Sequence, residues 1–149
     1  MNAAPANRQR RTGQVVSGLV AAFLLFDAVI HLLNIDVVQS AMTELGYPTH
    51  LSPEIGVIEL CCVALYAVRR TAVLGAVLLT GFLGGAIATN LRVDKPLIST
   101  TLFPLYVAVV VWVGLFLRDA DVRRIAHRVV RGQPHDRVDA NQPALLVEL

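Results

Sequence analysis

Long apolar stretches alternate with short polar segments along the chain and predict four helices of membrane-spanning length. The stretches 71–91 and 97–117 each run 21 residues without a charged side chain. The stretches 15–35 and 52–68 are also strongly apolar, although the first contains Asp27 and the second contains Glu54 and Glu59. A helix needs ~20 apolar residues to cross the hydrocarbon core of a bilayer. The sequence therefore predicts an all-α fold, a bundle of four transmembrane helices at residues 15–35, 52–68, 71–91 and 101–117.

Polar and amphipathic segments surround and interrupt this membrane domain of residues 15–117. Residues 1–14 form a basic N-terminal segment, and Asp36–Leu45 carries apolar residues at helical spacing, as in a short helix on the membrane surface. Ser52 stands at the expected start of the second span, where a serine can cap a helix. Residues 118–149 are predicted to be a basic amphipathic segment followed by a disordered polar tail.

The composition excludes an ordinary soluble domain. Apolar residues make up 55% of the 149 residues and charged residues only 16%, against ~25% charged residues in typical globular domains. The net charge of +2 does not indicate a nucleic-acid-binding protein. The two cysteines, Cys61 and Cys62, are adjacent, so they form neither a CxxC motif nor a disulfide framework. The partner that the composition predicts is the lipid bilayer.

Basic residues concentrate on one side of the predicted bundle. Eleven arginines lie before the first span, between the second and third spans, and after the fourth, whereas the opposite side has only Arg92 and Lys95. By the positive-inside rule, both termini are predicted to be cytoplasmic. The expected location is the plasma (inner) membrane, as a multi-pass protein.

Ionisable residues within the first two spans are the main functional signal. Asp27 and His31 are four residues apart and share one helix face. Glu59 is expected at a similar depth in the second span. Arg92 ends the third span on the same side, and its long side chain is expected to bend inward toward Asp27 or Glu59. The residues predicted to share the helix face of Glu59 are Gly56, Cys62 and Tyr66.

Two interpretations of these polar residues stay open. Intramembrane ionisable groups are expensive and by default indicate function, such as a proton relay, a cation site or a site for a polar ligand head group. A satisfied polar cluster can also do no more than hold helices in register. One histidine and two carboxylates are too sparse a set to predict a metal site from sequence. No catalytic residue is assigned.

The third predicted span is rich in small residues. Gly81 and Gly85 form a GxxxG step, and such steps let helix backbones approach closely in lipid. We therefore expect this ridge to pack against a neighbouring helix of the bundle. Trp112, near the middle of the fourth span, is also expected to pack inside the bundle. The residues predicted to mediate helix packing are Ala76, Gly81, Gly84, Gly85 and Ala88.

The chain resembles the DoxX-like family of small integral membrane proteins from Leu19 to Asp119. The most specific match is the run GAVLLTGFLGGA at residues 75–86. The other matching pieces are Phe26-Asp27-Ala28, Leu45-Gly46-Tyr47-Pro48, Gly56-Val57-Ile58-Glu59-Leu60, Thr89-Asn90-Leu91-Arg92 and Leu117-Arg118-Asp119.

The resemblance implies a four-helix membrane bundle with a loose link to redox chemistry. Proteins of the DoxX type include a subunit associated with thiosulfate oxidation and quinone reduction, so a quinone is the cofactor that the resemblance implies. No cofactor is evident from the residues themselves. Relatives often carry Lys where His31 stands and His where Asn90 stands. The recurrent polar positions of the family map here to Asp27, Glu59, Thr80 and Arg92.

Three functions are consistent with the sequence. The first is a non-enzymatic subunit or small-ligand-binding bundle, associated with a membrane redox complex linked to quinone or with further copies of itself. The second is a quinone-linked oxidoreductase in its own right, which is less favoured because the chain has no haem pair, flavin motif or CxxC to carry electrons. The third is a small exporter or channel subunit, which would need to oligomerise. The candidates for ligand binding or proton relay are Asp27, His31, Glu59, Thr80, Asn90 and Arg92.

Overall fold

Six α-helices and two short helical turns make up the described part of the protein, residues 3–130 of a computed structural model. A 3₁₀ turn, Thr49–Leu51, precedes the third helix, and a π-helical turn, Leu97–Thr101, precedes the fifth. The predicted disordered tail after residue 131 lies outside the described residues. The helices are α1 (Ala3–Leu32), α2 (Asp36–Glu44), α3 (Ser52–Ala67), α4 (Ala72–Arg92), α5 (Phe103–Arg118) and α6 (Ala120–Val130).

The four long helices form the predicted membrane bundle. The segments 7–32, 49–67, 72–92 and 97–118 are each long and apolar enough to cross a membrane. Helix α1 packs against α3 and α5, and α4 packs against the same two helices, so the four form a closed ring. Large apolar side chains are exposed around the outside of this ring, as expected where lipid is the solvent. The all-α, four-span prediction is therefore confirmed.

Helix boundaries differ from the predicted spans at two places. Helix α1 begins at Ala3, so most of the basic segment 1–14 continues the first span as one helix of 30 residues. Helix α5 begins only at Phe103, because the π-helical turn occupies the start of the fourth apolar stretch and Pro104 stands in the first turn of the helix. The apolar composition of a stretch indicates how much of the chain is in contact with lipid. It does not show where within that stretch the α-helix begins.

The glycines that allow close helix packing are not those predicted. A Cβ on Gly75 would lie 2.2 Å from the backbone nitrogen of Tyr66, and one on Gly114 would lie 2.7 Å from Ser17 Oγ. Gly75 and Gly114 therefore let α4 approach α3 and let α5 approach α1.

The predicted small-residue ridge does not pack against another helix of this chain. A Cβ on Gly81, Gly84 or Gly85 would meet no atom within 4 Å in the described structure, and Ala88 is exposed. Ala76 alone of the predicted packing residues is buried. The GxxxG pattern identifies a smooth helix surface, but the rotation of α4 turns that surface away from α3 and α5.

Trp112 also lies differently from the prediction. Its side chain is 36% exposed at the outside of the ring. Its indole Nε1 donates a hydrogen bond to Thr80 Oγ1 at 2.9 Å. Trp112 therefore joins α5 to α4 at the bundle surface and is not part of the interior.

The spacing of apolar residues predicted a short helix after the first span, and α2 forms there and packs against the start of α3 at one end of the bundle. Val38 and Met42 are buried beneath it. Gly46 follows α2 with a φ of 73°, a left-handed conformation that glycine adopts without strain. Ser52 does not cap α3 through its side chain. Its hydroxyl instead donates to the backbone oxygen of His31 at 3.0 Å, and this bond ties the start of α3 to the end of α1.

Candidate functional site

Glu59 is the most unusual side chain in the bundle. It is completely buried, with 0% of its surface exposed. Neither carboxylate oxygen has a hydrogen-bond partner among the residues that the structure describes. An unsatisfied buried polar group costs ~1–3 kcal/mol, and more when it is charged. Glu59 is therefore a group that a proton, an ion or a bound ligand would stabilise.

Asp27 and His31 of α1 lie beside Glu59 of α3. One oxygen of each carboxylate and one ring nitrogen of His31 all lie within 4.8 Å of one another. His31 Nδ1 is 3.8 Å from Asp27 Oδ2, and the side chains of His31 and Asp27 are 21% and 39% exposed. The structure thus brings together three of the six predicted site residues, which we name the Asp27–His31–Glu59 cluster.

Gly56 determines how closely this cluster can assemble. It lies one turn before Glu59 on α3, and a Cβ there would lie 2.8 Å from the backbone oxygen of Ala28 and 2.9 Å from the backbone nitrogen of Leu32. The backbones of α1 and α3 therefore touch at Gly56, and this contact brings Glu59 against the face of α1 that carries Asp27. The predicted shared face of α3 is confirmed, because Gly56, Glu59, Cys62 and Tyr66 are all buried.

The hydrogen bonding of His31 defines what the imidazole offers. His31 Nδ1 lies 3.0 Å from the backbone oxygen of Asp27. Because a carbonyl oxygen only accepts, this geometry assigns the proton of a neutral ring to Nδ1. Nε2 then has a free lone pair. Even when one of the two neighbouring carboxyl groups keeps its proton, the cluster offers more acceptor atoms than donors.

This acceptor set supports two kinds of chemistry. Carboxylate oxygens and an imidazole nitrogen are ligands for divalent cations such as Zn²⁺, so the cluster could hold a metal ion with open coordination positions. The same atoms could accept hydrogen bonds from the hydroxyl groups of a small molecule. The spacing of Asp27, His31 and Glu59 along the chain could not show that these three side chains lie together.

Arg92 does not join the cluster, in contrast to the prediction. Its Nη2 donates to the backbone oxygen of Leu45 at 2.5 Å, and its guanidinium carbon lies 5.6 Å from the centre of the Tyr47 ring. Among residues 3–130, no carboxylate lies within 4.0 Å of Arg92. The connection after α2 offers a carbonyl and an aromatic face at the end of α4, so the guanidinium is satisfied without reaching into the bundle.

Thr80 and Asn90 have partners of their own on α4. Thr80 Oγ1 donates to the backbone oxygen of Ala76 at 2.8 Å and accepts the bond from Trp112. Asn90 Nδ2 donates to the backbone oxygen of Ala86 at 2.9 Å. These hydrogen bonds hold the two side chains along their own helix or toward α5. Neither bond connects them to the cluster.

A second buried polar contact was missed in the sequence. The Tyr66 hydroxyl donates to the backbone oxygen of Val111 at 2.9 Å and lies 3.0 Å from Ser17 Oγ. It joins α3 to α5 and α1 near the end opposite α2. The sequence placed Tyr66 on the same helix face as Glu59. The only sequence feature that indicated a hydrogen-bond partner for its hydroxyl was the small polar residue Ser17 on α1.

The comparisons with known proteins identify one family. The model of the DoxX-like family matches residues 15–114, which include α3, α4, the greater part of α1 and α5, and the whole cluster. No curated protein and no solved structure matches the chain.

Proposed function

The chain belongs to the DoxX-like family of membrane proteins, and from this premise we propose that it is a non-enzymatic subunit that binds a small lipid-soluble molecule at the Asp27–His31–Glu59 cluster. The observation that carries the proposal is the buried Glu59 carboxylate, whose two oxygens have no partner in the described structure. A ligand that supplies hydrogen-bond donors would satisfy these oxygens.

The position of the cluster favours a ligand that arrives from the membrane. Asp27 is 39% exposed, and its neighbour Phe26 is 64% exposed on the outside of the ring. Asp27 can therefore be reached from the outside of the ring, where lipid surrounds the protein. At a rise of ~1.5 Å per residue, Asp27 lies about 8 Å before the end of α1 and Glu59 about 10 Å after the start of α3. Water-soluble ligands reach this depth with difficulty.

A quinol head group has the chemistry that this site requires. Its two hydroxyl groups are donors, whereas the carbonyl groups of the oxidised quinone only accept. The cluster should therefore bind the reduced form in preference to the oxidised form. On this basis we propose that the protein belongs to a membrane redox complex linked to quinone. From the distribution of its basic residues we further propose that it lies in the plasma membrane with both termini in the cytoplasm.

A binding titration with the purified full-length protein in lipid nanodiscs tests the proposal. A short-chain quinol and its oxidised quinone would be compared by calorimetry under anaerobic conditions. We expect the quinol to bind at least tenfold more tightly and Glu59→Gln to abolish that preference. Glu54→Gln is the matched control, because Glu54 is an exposed acid in the first turn of the same helix. Equal binding of the two forms, or unchanged binding by Glu59→Gln, would overturn the proposal.

A divalent cation is the second candidate ligand, favoured by the three donor atoms within 4.8 Å of one another. Zinc titration of the same sample distinguishes it from the first. Stoichiometric Zn²⁺ binding that Asp27→Asn and Glu59→Gln remove, together with no quinol preference, would establish a metal site instead. Retention of zinc by both variants would assign that metal to other residues.

A further inference from the structure

A basic cleft lies at the end of the bundle opposite α2. It has a volume of about 180 Å³ and is formed where α1, α3 and α5 meet. At ~1.5 Å per residue, Arg10 is about 25 Å along α1 from Asp27, so the cleft is separate from the Asp27–His31–Glu59 cluster. Its lining residues are Arg10, Gln14, Ala67, Arg69, Arg118 and Asp119.

Close helix packing brings the arginines of this cleft together. A Cβ on Gly13 would lie 2.3 Å from the backbone nitrogen of Arg118, so the backbones of α1 and α5 are in contact there. Arg10 lies three residues before Gly13 and therefore on the same side of α1. Arg69 follows the end of α3 and completes the cleft from a third direction.

Arg118 is held in a fixed position. Its Nη2 donates to the backbone oxygen of Tyr66 at 2.6 Å, and its guanidinium carbon lies 4.6 Å from the centre of the buried Tyr66 ring. A guanidinium group has five N–H donors. The bond to Tyr66 uses one nitrogen of the guanidinium, so donors remain for a ligand in the cleft.

The positive charge of the cleft is not neutralised within residues 3–130. No carboxylate lies within 4.0 Å of the nitrogens of Arg10, Arg69 or Arg118 in this part of the chain. Asp119 is the one acid in the lining, and its Oδ1 accepts the backbone N–H groups of Asp121 and Val122 at 2.9 and 3.4 Å. Its carboxylate therefore caps α6 and does not pair with an arginine.

We propose that this cleft binds the phosphate group of an anionic phospholipid. Three guanidinium groups, on α1, on α5 and in the turn after α3, supply the multiple N–H donors with which arginine binds phosphate oxygens. The cleft lies at the ends of the apolar helices, the level at which lipid headgroups meet a membrane protein. Val15 and Val68, which follow Gln14 and Ala67 in sequence, are 60% and 55% exposed and provide apolar surface for the acyl chains.

Native mass spectrometry of the full-length protein tests this lipid site. The purified protein would be mixed with equal amounts of phosphatidylglycerol and phosphatidylcholine in a mild detergent, and the detergent would be removed in the mass spectrometer. We expect phosphatidylglycerol to be retained preferentially, and the double variant Arg10→Gln/Arg69→Gln to reduce the preference by roughly tenfold or more. Arg11→Gln/Arg70→Gln is the matched control, because it removes the same charge from neighbouring exposed arginines outside the cleft lining.

The outcomes separate a built site from general charge attraction. Equal loss of preference in the two double variants would overturn the proposal, as would the absence of any preference in the parent protein. A thermal-shift measurement with inorganic phosphate distinguishes the source of the phosphate. Stabilisation by phosphatidylglycerol but not by inorganic phosphate supports the lipid, whereas equal stabilisation by both would replace it with a soluble anion. Melting curves of both double variants without ligand show whether each remains folded.

Discussion

The hydroxyl of Tyr66 on α3 lies 3.0 Å from Ser17 Oγ on α1, although the two residues are 49 positions apart in the chain. Both side chains are buried, Tyr66 to 0% and Ser17 to 2% exposure. The same hydroxyl donates to the backbone oxygen of Val111 on α5. One side chain thus connects three helices of the ring in a region where water is excluded.

Removal of the Tyr66 hydroxyl should destabilise the bundle. Tyr66→Phe preserves the ring but leaves Ser17 without this partner. Interhelical hydrogen bonds in membrane proteins contribute ~0.6 kcal/mol on average and up to ~1.7 kcal/mol. We expect a loss of this size in the free energy of unfolding, measured by denaturant titration in detergent. Tyr106→Phe is the control, because Tyr106 is 48% exposed. An equal effect of the two substitutions would contradict the role of Tyr66.

Gly75 should tolerate no side chain. A Cβ there would meet the backbone of Tyr66 at 2.2 Å, and backbone cannot rotate away as a flexible side chain can. Overpacking of this kind typically costs ~1–3 kcal/mol. We expect Gly75→Ala to lower the melting temperature in detergent. Gly85→Ala, the same change on the same helix with nothing within 4 Å, should leave it unchanged or raise it. Similar melting of the two variants would show that α3 and α4 are farther apart.

Arg92 and Glu59 should act independently. The guanidinium of Arg92 contacts Leu45 and Tyr47, and it makes no ion pair with Glu59. In a double-mutant cycle of Arg92→Gln and Glu59→Gln, the changes in unfolding free energy should add within ~0.3–0.5 kcal/mol. A cycle of Asp27→Asn and Glu59→Gln should be non-additive, because these carboxylates approach each other in the cluster. Coupling in the first cycle would restore Arg92 to the candidate site.

The end of the bundle that carries α2 should weaken in acid. Glu44 Oε2 accepts a hydrogen bond from Lys95 Nζ, and this ammonium holds the pKa of Glu44 below its ordinary value of 4.5. A lowered pKa in the folded protein means that the contribution to stability is present above the unfolded pKa and is lost as pH falls through the folded value. We expect the melting-temperature difference between the parent protein and Lys95→Met to shrink from pH 6 to pH 3. A difference independent of pH would exclude this ion pair.

The predicted orientation can be tested by labelling in intact cells. A variant without Cys61 and Cys62 would receive a single cysteine at Thr43 or at Arg70, both of which are exposed and lie at opposite ends of the bundle. A membrane-impermeant maleimide should label Thr43→Cys and should label Arg70→Cys only after the cells are opened. The reverse pattern would place the basic side outside.

The sequence by itself determined the features that depend on the pattern of apolar residues within one helix. The four apolar stretches predict the four long helices, because a length of ~20 apolar residues is sufficient to indicate a span. Helical spacing predicted the short helix α2 and the buried face of α3 that carries Gly56, Glu59 and Tyr66. Each of these inferences uses only the geometry of one helix.

Tertiary structure decided which faces meet. Nothing in the spacing of α4 distinguishes Gly75, which contacts α3, from Gly85, which contacts no other helix in the described chain. The partner of Arg92 likewise depended on where the connection after α2 folds, since a long guanidinium side chain can reach several acceptors. The convergence of Asp27, His31 and Glu59 required the rotation and close approach of α1 and α3 at Gly56. The rotation of each helix and its distance from its neighbours are set by packing between helices. The residue pattern of one helix alone does not determine either of them.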